Sequence, residues 1–323
     1  MKLTKDEKRA IPFLLPGLIV TAILIVYPLF YIVTMSFSDN SFGGGGFAGI
    51  KNYVSLFHNP QFPKAIRSTL WWTFGTVVLS YAIGTLLALL INRKSIKLKG
   101  FWRGMIFIAW IIPGVVKATT WKWMFQTDGG IINYMLLCSG VISKNIPWLT
   151  SSKFALLSVI IVQVWSCAPY VMLMMTAGLQ QLPADLYESA ELDGATWYEK
   201  LLHITFPLLK DISFICILMV LVWAINEFSL IFIMTQGGHD TTTLAMLVYN
   251  QFKVLNINLA SASAIMQLLI TMIFAGIYVR CVVKPTNKKS SLILKNLQAE
   301  RKVAQKDRHS GGRVRKDICR VIQ

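Results

Sequence analysis

Residues 154–180 read FALLSVIIVQVWSCAPYVMLMMTAGLQ, and this stretch decides the fold class. It contains no charged residue. A helix needs about 20 residues to cross a hydrocarbon core that is roughly 30 Å thick, and helices buried in soluble proteins rarely keep so long an apolar run. The stretch therefore predicts a membrane-spanning helix.

Five further long, predominantly apolar stretches occur in the 323 residues, of which 54% are hydrophobic and 15% charged. The sequence thus predicts an all-α, polytopic membrane protein with six transmembrane helices. The first apolar run continues to Phe37, which is too long for a signal peptide, so we expect it to be retained. The predicted spans lie at about 11–36, 68–92, 104–125, 154–180, 212–234 and 259–280.

The orientation follows from the basic residues of the short loops, because Lys and Arg prefer the cytoplasmic side. The loop between predicted spans two and three holds Arg93, Lys94, Lys97, Lys99 and Arg103. Both termini are therefore predicted to be cytoplasmic. A short segment, 1–10, precedes a membrane domain at 11–283, and a basic tail, 284–323, follows it.

The tail accounts for much of the net charge of +17, since it has 12 Lys and Arg against 3 acidic residues. It has no aromatic residue that could stack on a base. This composition favours a flexible tail beside an anionic membrane surface over nucleic-acid binding.

Cysteine and histidine are scattered in a way that predicts no disulfide framework, metal site or catalytic cluster. No CxxC pair occurs, and the histidines fall in loops on both predicted sides of the membrane. We therefore expect neither an enzyme nor a cofactor bound by this chain. The residues are Cys138, Cys167, Cys216, Cys281, Cys319, His58, His203, His239 and His309.

Tryptophans near the predicted span ends are expected to be ordinary interfacial anchors. They are Trp71, Trp72, Trp121, Trp123 and Trp148. Lys117 and Lys122 lie near the outer end of predicted span three, and we expect both to extend to the membrane surface.

The longest cytoplasmic loop reads QLPADLYESAELDGATWYEKLLHITFP over residues 181–207. Pro183 suits a first helical position, and Gly194 can take the left-handed conformation that stops a helix. Thr196 and Glu199 have the spacing of a capping box, which begins a second helix. Pro207 is then expected to end the segment before span five. The loop, about 183–207, is called the docking loop below.

The first helix of the docking loop is acidic and carries small side chains. Ser189 and Ala190 would let a partner backbone approach closely, while Glu188, Glu191 and Asp193 offer charge. Helices that merely lie on lipid usually carry Lys and Arg on their polar face. A protein partner is therefore favoured over the alternative of an interfacial helix.

The docking loop resembles the EAA loop of binding-protein-dependent ABC importer permeases, in which this loop is the coupling helix seated in a cleft of the ATPase. Ser189 replaces the usual first Ala, and Phe206 the usual Leu. The resemblance implies that eight residues couple to an ATPase: Glu188, Ser189, Ala190, Asp193, Gly194, Ala195, Ile204 and Pro207.

Three further segments narrow the resemblance to the carbohydrate-uptake permeases of the maltose, glycerol-phosphate and multiple-sugar type. Pro28 lies in a first span that ends Met35-Ser-Phe-Ser, and residues 47–53 read FAGIKNY. The predicted outer loop reads TQGGHDTTT over 235–243 and is followed by Tyr249. His239 stands where that family commonly has Pro.

The resemblance implies a type I ABC importer permease fold in a prokaryotic cytoplasmic membrane, forming half of a pathway for a sugar or polyol. It implies three partners besides the lipid bilayer: a second homologous permease, a dimeric ABC ATPase and an extracytoplasmic solute-binding protein. The sequence has no G-x-x-x-x-G-K-[ST] motif, so ATP would be used by the partner. The alternatives are a permease for a non-sugar solute, a self-sufficient secondary transporter or channel, and a membrane enzyme.

Polar residues within the predicted spans suggest where a solute passes. Glu227 is the one acid in the predicted interior of a span, and lipid exposure would be costly. Alternatively, Glu227 and Tyr170 bond neighbouring helices or the other permease. Pro169 would permit a kink in span four beside such a cavity. The candidate pathway residues are Glu227, Asn226, Tyr170, Ser166 and Cys167.

Overall fold

The computed structural model describes residues 5–39, 46–93 and 95–280, and for residues 5–11 it describes the backbone alone. The predicted basic tail, 284–323, lies outside the described residues. The described chain is helical apart from its loops and one isolated bridge between Ser38 and Phe47. Among these residues no β-strand occurs.

Five helices are long and apolar enough to cross a membrane, and a bent pair supplies a sixth candidate. Span one begins within a helix that starts at Lys5, and a π-helical segment at Ala22–Val26 interrupts it. The six-span fold class is confirmed when the bent pair counts as one span. The spans are Pro12–Ser36, Gln61–Asn92, Lys99–Ile111 with Gly114–Met124, Ala155–Leu179, Trp197–Asn226 and Ile257–Arg280. Shorter helices are Lys51–His58, Ile131–Cys138, Ala184–Leu192, Ser229–Thr235 and Leu244–Lys253.

Span three is broken, whereas the sequence predicted a continuous helix over 104–125. Its two arms meet at 92° across Ile112 and Pro113. Both residues have extended ψ angles, 128° and 141°. Proline lacks the N–H that would continue the helix, and it disfavours helical geometry in the residue before it. Pro169 has no such effect, since span four is helical throughout Ala155–Leu179.

Span five begins earlier and ends earlier than the predicted 212–234. It is one continuous helix over Trp197–Asn226, and Ser229–Thr235 forms a separate short helix. The prediction that Pro207 ends the docking loop is wrong, because Pro207 lies in the first turn of Phe206–Asn226. A π-helical segment at Leu201–Thr205 precedes it and connects the two helical parts.

Span four is the centre of the packing. Of the 18 most apolar consecutive residues of span four, 67% are buried inside the protein. The corresponding fractions are 6% for span one and 11% for span six. Span two packs along it, with Gly84 facing Val171 and Ala168. Near the last turn of span four, Gly178 lies against Leu209 and Ile212 of span five. Glycines at such positions let helices approach closely in lipid.

Trp72 is part of this core and is not an interfacial anchor, contrary to the sequence prediction. It is fully buried, and its indole Nε1 donates a 2.8 Å hydrogen bond to the carbonyl oxygen of Ala224 in span five. Trp148 is likewise bonded inside the chain, through Nε1 to Oδ1 of Asn133 at 2.9 Å. Trp71, by contrast, is 58% exposed, as an interfacial residue would be.

The described residues up to 272 form one compact unit, and the described residues from 273 onward belong to a second. The first contains spans one to five and all of the site residues described below. Of the second, the structure describes the helical residues 273–280.

The close approach of spans two and four predicts a large effect of Gly84→Ala. The added Cβ would lie 2.6 Å from the carbonyl oxygen of Ala168. Overpacking of this kind typically costs about 1–3 kcal/mol, so the apparent Tm of the purified protein should fall by several degrees. Gly104→Ala is the matched control, because its Cβ would meet nothing within 4 Å. Equal apparent Tm values for the two variants would contradict the packing described here.

Candidate functional site

A cavity of about 350 Å³ lies between spans three, four and five. Four of the five predicted pathway residues line it, namely Ser166, Cys167, Asn226 and Glu227. These residues come from two separate spans, four and five, and the structure brings them together at one cavity. The remaining lining residues are Trp110, Lys117, Gln163, Val222 and Trp223.

Both helix breaks of the membrane domain contribute to this cavity. Trp110 and Lys117 come from opposite arms of the bent span three. Glu227 lies between span five and the helix Ser229–Thr235, with an extended ψ of 121°. Irregular backbone at membrane depth is tolerated where it is buried in protein or lines a polar cavity. The breaks therefore mark the cavity as a polar site inside the membrane domain.

Lys117 points into the cavity, and the prediction that it extends to the membrane surface is wrong. Its Nζ donates a 2.8 Å hydrogen bond to Oγ of Ser166. Lys122 also turns inward, donating to the carbonyl oxygen of Ile233 at 2.8 Å. The bend at Pro113 explains both, because it turns the second arm of span three across the bundle.

Within the described residues, the carboxylate of Glu227 accepts one hydrogen bond. Its Oε1 accepts from the backbone N–H of Leu230 at 2.9 Å, near the start of the helix Ser229–Thr235. Glu227 thus bonds to the first turn of this helix and also lines the cavity. Asn226 is held by Gln267 of span six, whose Nε2 donates to its Oδ1 at 3.3 Å.

Gln163 was not among the predicted site residues, yet it adds an open acceptor to the cavity. Its Nε2 donates to Sγ of Cys167 at 3.4 Å. Its Oε1 is buried and has no hydrogen-bond partner in the described part of the chain. A buried carbonyl oxygen without a partner is costly unless a ligand or water bonds to it.

Tyr170 does not line the cavity but supports its aromatic wall. Its ring stacks on Trp110 with centroids 6.1 Å apart and meets Trp223 edge-on at 4.8 Å. The cavity therefore combines two indole faces with a cation, a carboxylate and two amides. Such a lining suits a small polar molecule that has both hydroxyl groups and an apolar C–H face.

The docking loop has the predicted helix, turn and second helix. The first helix is Ala184–Leu192, with Pro183 as its N-cap. Gly194 has a φ of +77°, and the N–H of Ala195 then donates to the carbonyl oxygen of Ala190 at 2.8 Å. This glycine takes the left-handed conformation that ends the helix.

The second helix of the loop starts with the capping box that the sequence predicted. Thr196 Oγ1 accepts from the N–H of Glu199, and Glu199 Oε2 accepts from the N–H of Thr196 at 2.7 Å. Two further contacts join the helices of the loop. Lys200 forms a 2.8 Å ion pair with Glu191, and Tyr187 shares a 2.9 Å hydrogen bond with Thr205.

The docking loop also exposes large apolar side chains, which the sequence analysis did not single out. Leu192 is 91% exposed, and Trp197 and Tyr198 are each 61% exposed. Their position at the turn between two polar helices was visible in the sequence. Large apolar side chains exposed together on an otherwise polar loop are typical of protein-binding surfaces.

Comparison with known proteins shows that the cavity and the docking loop both lie within the region that matches one protein family. Residues 80–284 match the family of binding-protein-dependent transport system inner membrane components. The chain belongs to this family. The match includes the docking loop and the cavity residues, and the chain is therefore a multi-pass permease subunit of an ABC importer.

Relatives of this permease carry names of sugar transporters. It is 28% identical to the trehalose/maltose transport system permease protein MalF of Thermococcus litoralis, covering 85% of this chain and 94% of the relative. It is 30% identical to the sulfoquinovosyl glycerol transport system permease protein SmoG of Agrobacterium fabrum, covering 86% and 91%.

A solved structure confirms the fold of the permease. A chain of a bacterial alginate ABC transporter, in complex with an alginate pentasaccharide-bound periplasmic protein, superimposes with a TM-score of 0.75. The two chains are 22% identical, and the match covers 87% of this chain and 96% of the other. The type I importer permease fold is thereby confirmed.

The backbone of the turn at 235–243 explains why His239 stands where the family commonly has proline. His239 has a φ of +53° and Asp240 one of +62°. Proline is fixed near −65°, so it could not replace His239 without changing this turn.

The capping box predicts the effect of Thr196→Ala. Without the hydroxyl, the first turn of the second helix loses a hydrogen bond, and its amides should exchange with solvent roughly 2- to 10-fold faster. Hydrogen exchange of residues 197–200 measures this. Thr196→Ser keeps the oxygen and should retain the protection. Equal exchange in both variants would show that the box does not hold the loop.

Proposed function

We propose that this permease forms half of a pathway that imports a sugar or related polyol, driven by a separate ATPase. The observation that carries the proposal is the convergence of two helix breaks on a polar cavity with an aromatic wall. Span five joins this cavity to the docking loop as one helix, since Trp197 lies in the loop and Asn226 in the cavity.

The chemistry of the cavity supports a sugar as the solute. A sugar hydroxyl can donate to Glu227 or to the free oxygen of Gln163, and it can accept from Lys117. The C–H face of a sugar ring packs on aromatic rings such as those of Trp110 and Trp223. Relatives named for trehalose and maltose and for sulfoquinovosyl glycerol fit this assignment.

The docking loop is proposed to seat in a dimeric ABC ATPase. Glu188, Asp185 and Asp193 are exposed on it, as are the small residue Ser189 and the apolar Leu192. The sequence has no G-x-x-x-x-G-K-[ST] motif, so ATP would be bound and hydrolysed by that partner. The proposed ATPase-coupling residues remain those predicted from the sequence.

A second, homologous permease and an extracytoplasmic solute-binding protein would complete the transporter in a prokaryotic cytoplasmic membrane. A single chain offers only one wall of a pathway along spans three to five. The alginate transporter was solved with its periplasmic protein, which fits the assignment of such a partner. Transport would then follow from alternating access: closure of the ATPase dimer draws the docking loops together and tilts the spans toward the outward-open state.

Neutralising Glu227 should impair the response to solute while leaving the complex assembled. Glu227→Gln keeps the oxygen that accepts from Leu230 but removes the charge that attracts a solute hydroxyl. We expect solute-stimulated ATP hydrolysis by the reconstituted transporter to fall about 10-fold or more, consistent with the loss of one charged hydrogen bond. Asp211 is an exposed acid on the same span outside the cavity, so Asp211→Asn should leave the solute-stimulated ATP hydrolysis unchanged. Full stimulation of the Glu227 variant across sugars would remove Glu227 from the pathway.

Gly194→Val tests the docking loop against a matched control. Gly194 and Gly140 have similar φ angles, +77° and +73°, and in both cases an added Cβ meets nothing within 4 Å. A side chain at either site costs about 1–2 kcal/mol of backbone strain. We expect only the change at Gly194 to reduce copurification of the ATPase several-fold. Loss of the ATPase from both variants, or from neither, would argue against docking at this loop.

A further inference from the structure

A second polar cavity, of about 260 Å³, lies at the start of span two. Span two contributes Lys64, Arg67 and Trp71 to its lining, and the segment before span four contributes Ser152. The turn between Thr235 and Thr243 closes it with Asp240. Three separate parts of the chain therefore meet around two cationic side chains.

The two cations have no carboxylate partner within ion-pairing distance. In the described ranges the ion pair within 4 Å is that of Lys200 and Glu191, elsewhere in the protein. Asp240 is fixed through its backbone, since Ser68 Oγ donates to its carbonyl oxygen at 2.9 Å. With two cations and one carboxylate, the cavity keeps a net positive charge. It is thus suited to an anionic group.

The depth of the cavity follows from the length of span two. From Asn92 to Trp71 the helix rises about 32 Å, which matches the roughly 30 Å thickness of the hydrocarbon core. Arg67 and Lys64 then lie about 6 Å and 10 Å beyond Trp71. The polar layers add roughly 5–8 Å on each side, so Arg67 lies in the headgroup layer and Lys64 just beyond it, from where its long side chain can reach back to the headgroups.

The face of span two below the cations is apolar and open. Phe74 is 62% exposed and Val78 is 45% exposed, and both follow Arg67 and Trp71 at helical spacing. An acyl chain could lie along this face while its headgroup reaches the cavity. An exposed tryptophan between the two regions is typical of the boundary between headgroups and acyl chains.

We propose that this cavity binds the phosphate of a glycerophospholipid, with Lys64 and Arg67 as its ligands and a preference for anionic over zwitterionic headgroups. Arg67 can donate two parallel hydrogen bonds to phosphate oxygens, and Lys64 adds a point charge. Ser152 offers a hydroxyl to the same group. The bound lipid would join span two to the outer turn and to the segment before span four.

The test uses the complete transporter in nanodiscs that contain phosphatidylcholine with a minor fraction of phosphatidylglycerol. After extraction into detergent, lipid that remains with the complex is measured by mass spectrometry. The wild type should be enriched in phosphatidylglycerol relative to the nanodisc. The double variant Lys64→Gln/Arg67→Gln should lose at least about two thirds of that enrichment, whereas Lys144→Gln, an exposed lysine of another loop, should keep it.

A variant with the opposite expectation guards against a folding defect. Asp240→Asn raises the charge of the cavity, and Asn tolerates the positive φ of this position. We expect it to increase the enrichment, which a misfolded protein would not do. Unchanged enrichment in the double variant would overturn the proposal. If the double variant keeps its phosphatidylglycerol but binds a solute-binding protein more weakly, the proposal is also overturned. The surface would then be assigned to that protein.

Discussion

The structure depends on one constraint: inside a lipid bilayer, every backbone N–H and C=O must find a partner within the protein or in water. Helical hydrogen bonding satisfies it along most of the described spans, whereas span three is interrupted by extended backbone at Ile112–Pro113 and span five gives way to extended backbone at Glu227. Both exceptions lie at the same cavity. Their convergence is therefore a physical reason to place a polar, hydrated site there, independent of any relative.

Packing around span four determines how firmly that site is held. Span two lies against it through Gly84, and span five is tied to span two by the hydrogen bond from Trp72 to Ala224. Since Ala224 precedes Asn226 and Glu227 by less than one turn, this buried indole fixes the end of span five beside the cavity. Spans one and six leave most of their surface open, which suits contact with lipid and with the proposed second permease.

Much of the fold could be predicted from the sequence, because long apolar runs have few alternatives in a chain of this composition. The backbone of the docking loop could also be predicted, because a glycine stop and a capping box depend only on residues nearby in sequence. Gly194 and the Thr196–Glu199 box both have the predicted geometry. Ser166, Cys167, Asn226 and Glu227, which the sequence suggested as pathway residues, line one cavity. Their role in solute passage stays a prediction.

The errors arose where tertiary structure outweighs hydropathy. The long apolar stretch 104–125 was taken as one helix because its overall hydropathy is high. The Pro113-Gly114 pair within it is a strong signal for a break. Once span three is bent, Lys117 faces the bundle instead of the surface, and its bond to Ser166 could not be foreseen. Pro207 was misread for the opposite reason, because proline in the first turn of a helix costs little.

The continuity of span five has a geometric consequence. A helix of the length of Trp197–Asn226 extends about 45 Å, from outside the hydrocarbon to the cavity. If it pivots at one end as a stiff rod, a rotation of only about 10° moves the other end by about 8 Å, which is wider than a sugar ring is thick. No chain of intermediate side-chain rearrangements is then required between the two ends. A bend confined to the π-helical segment at Leu201–Thr205 would uncouple them.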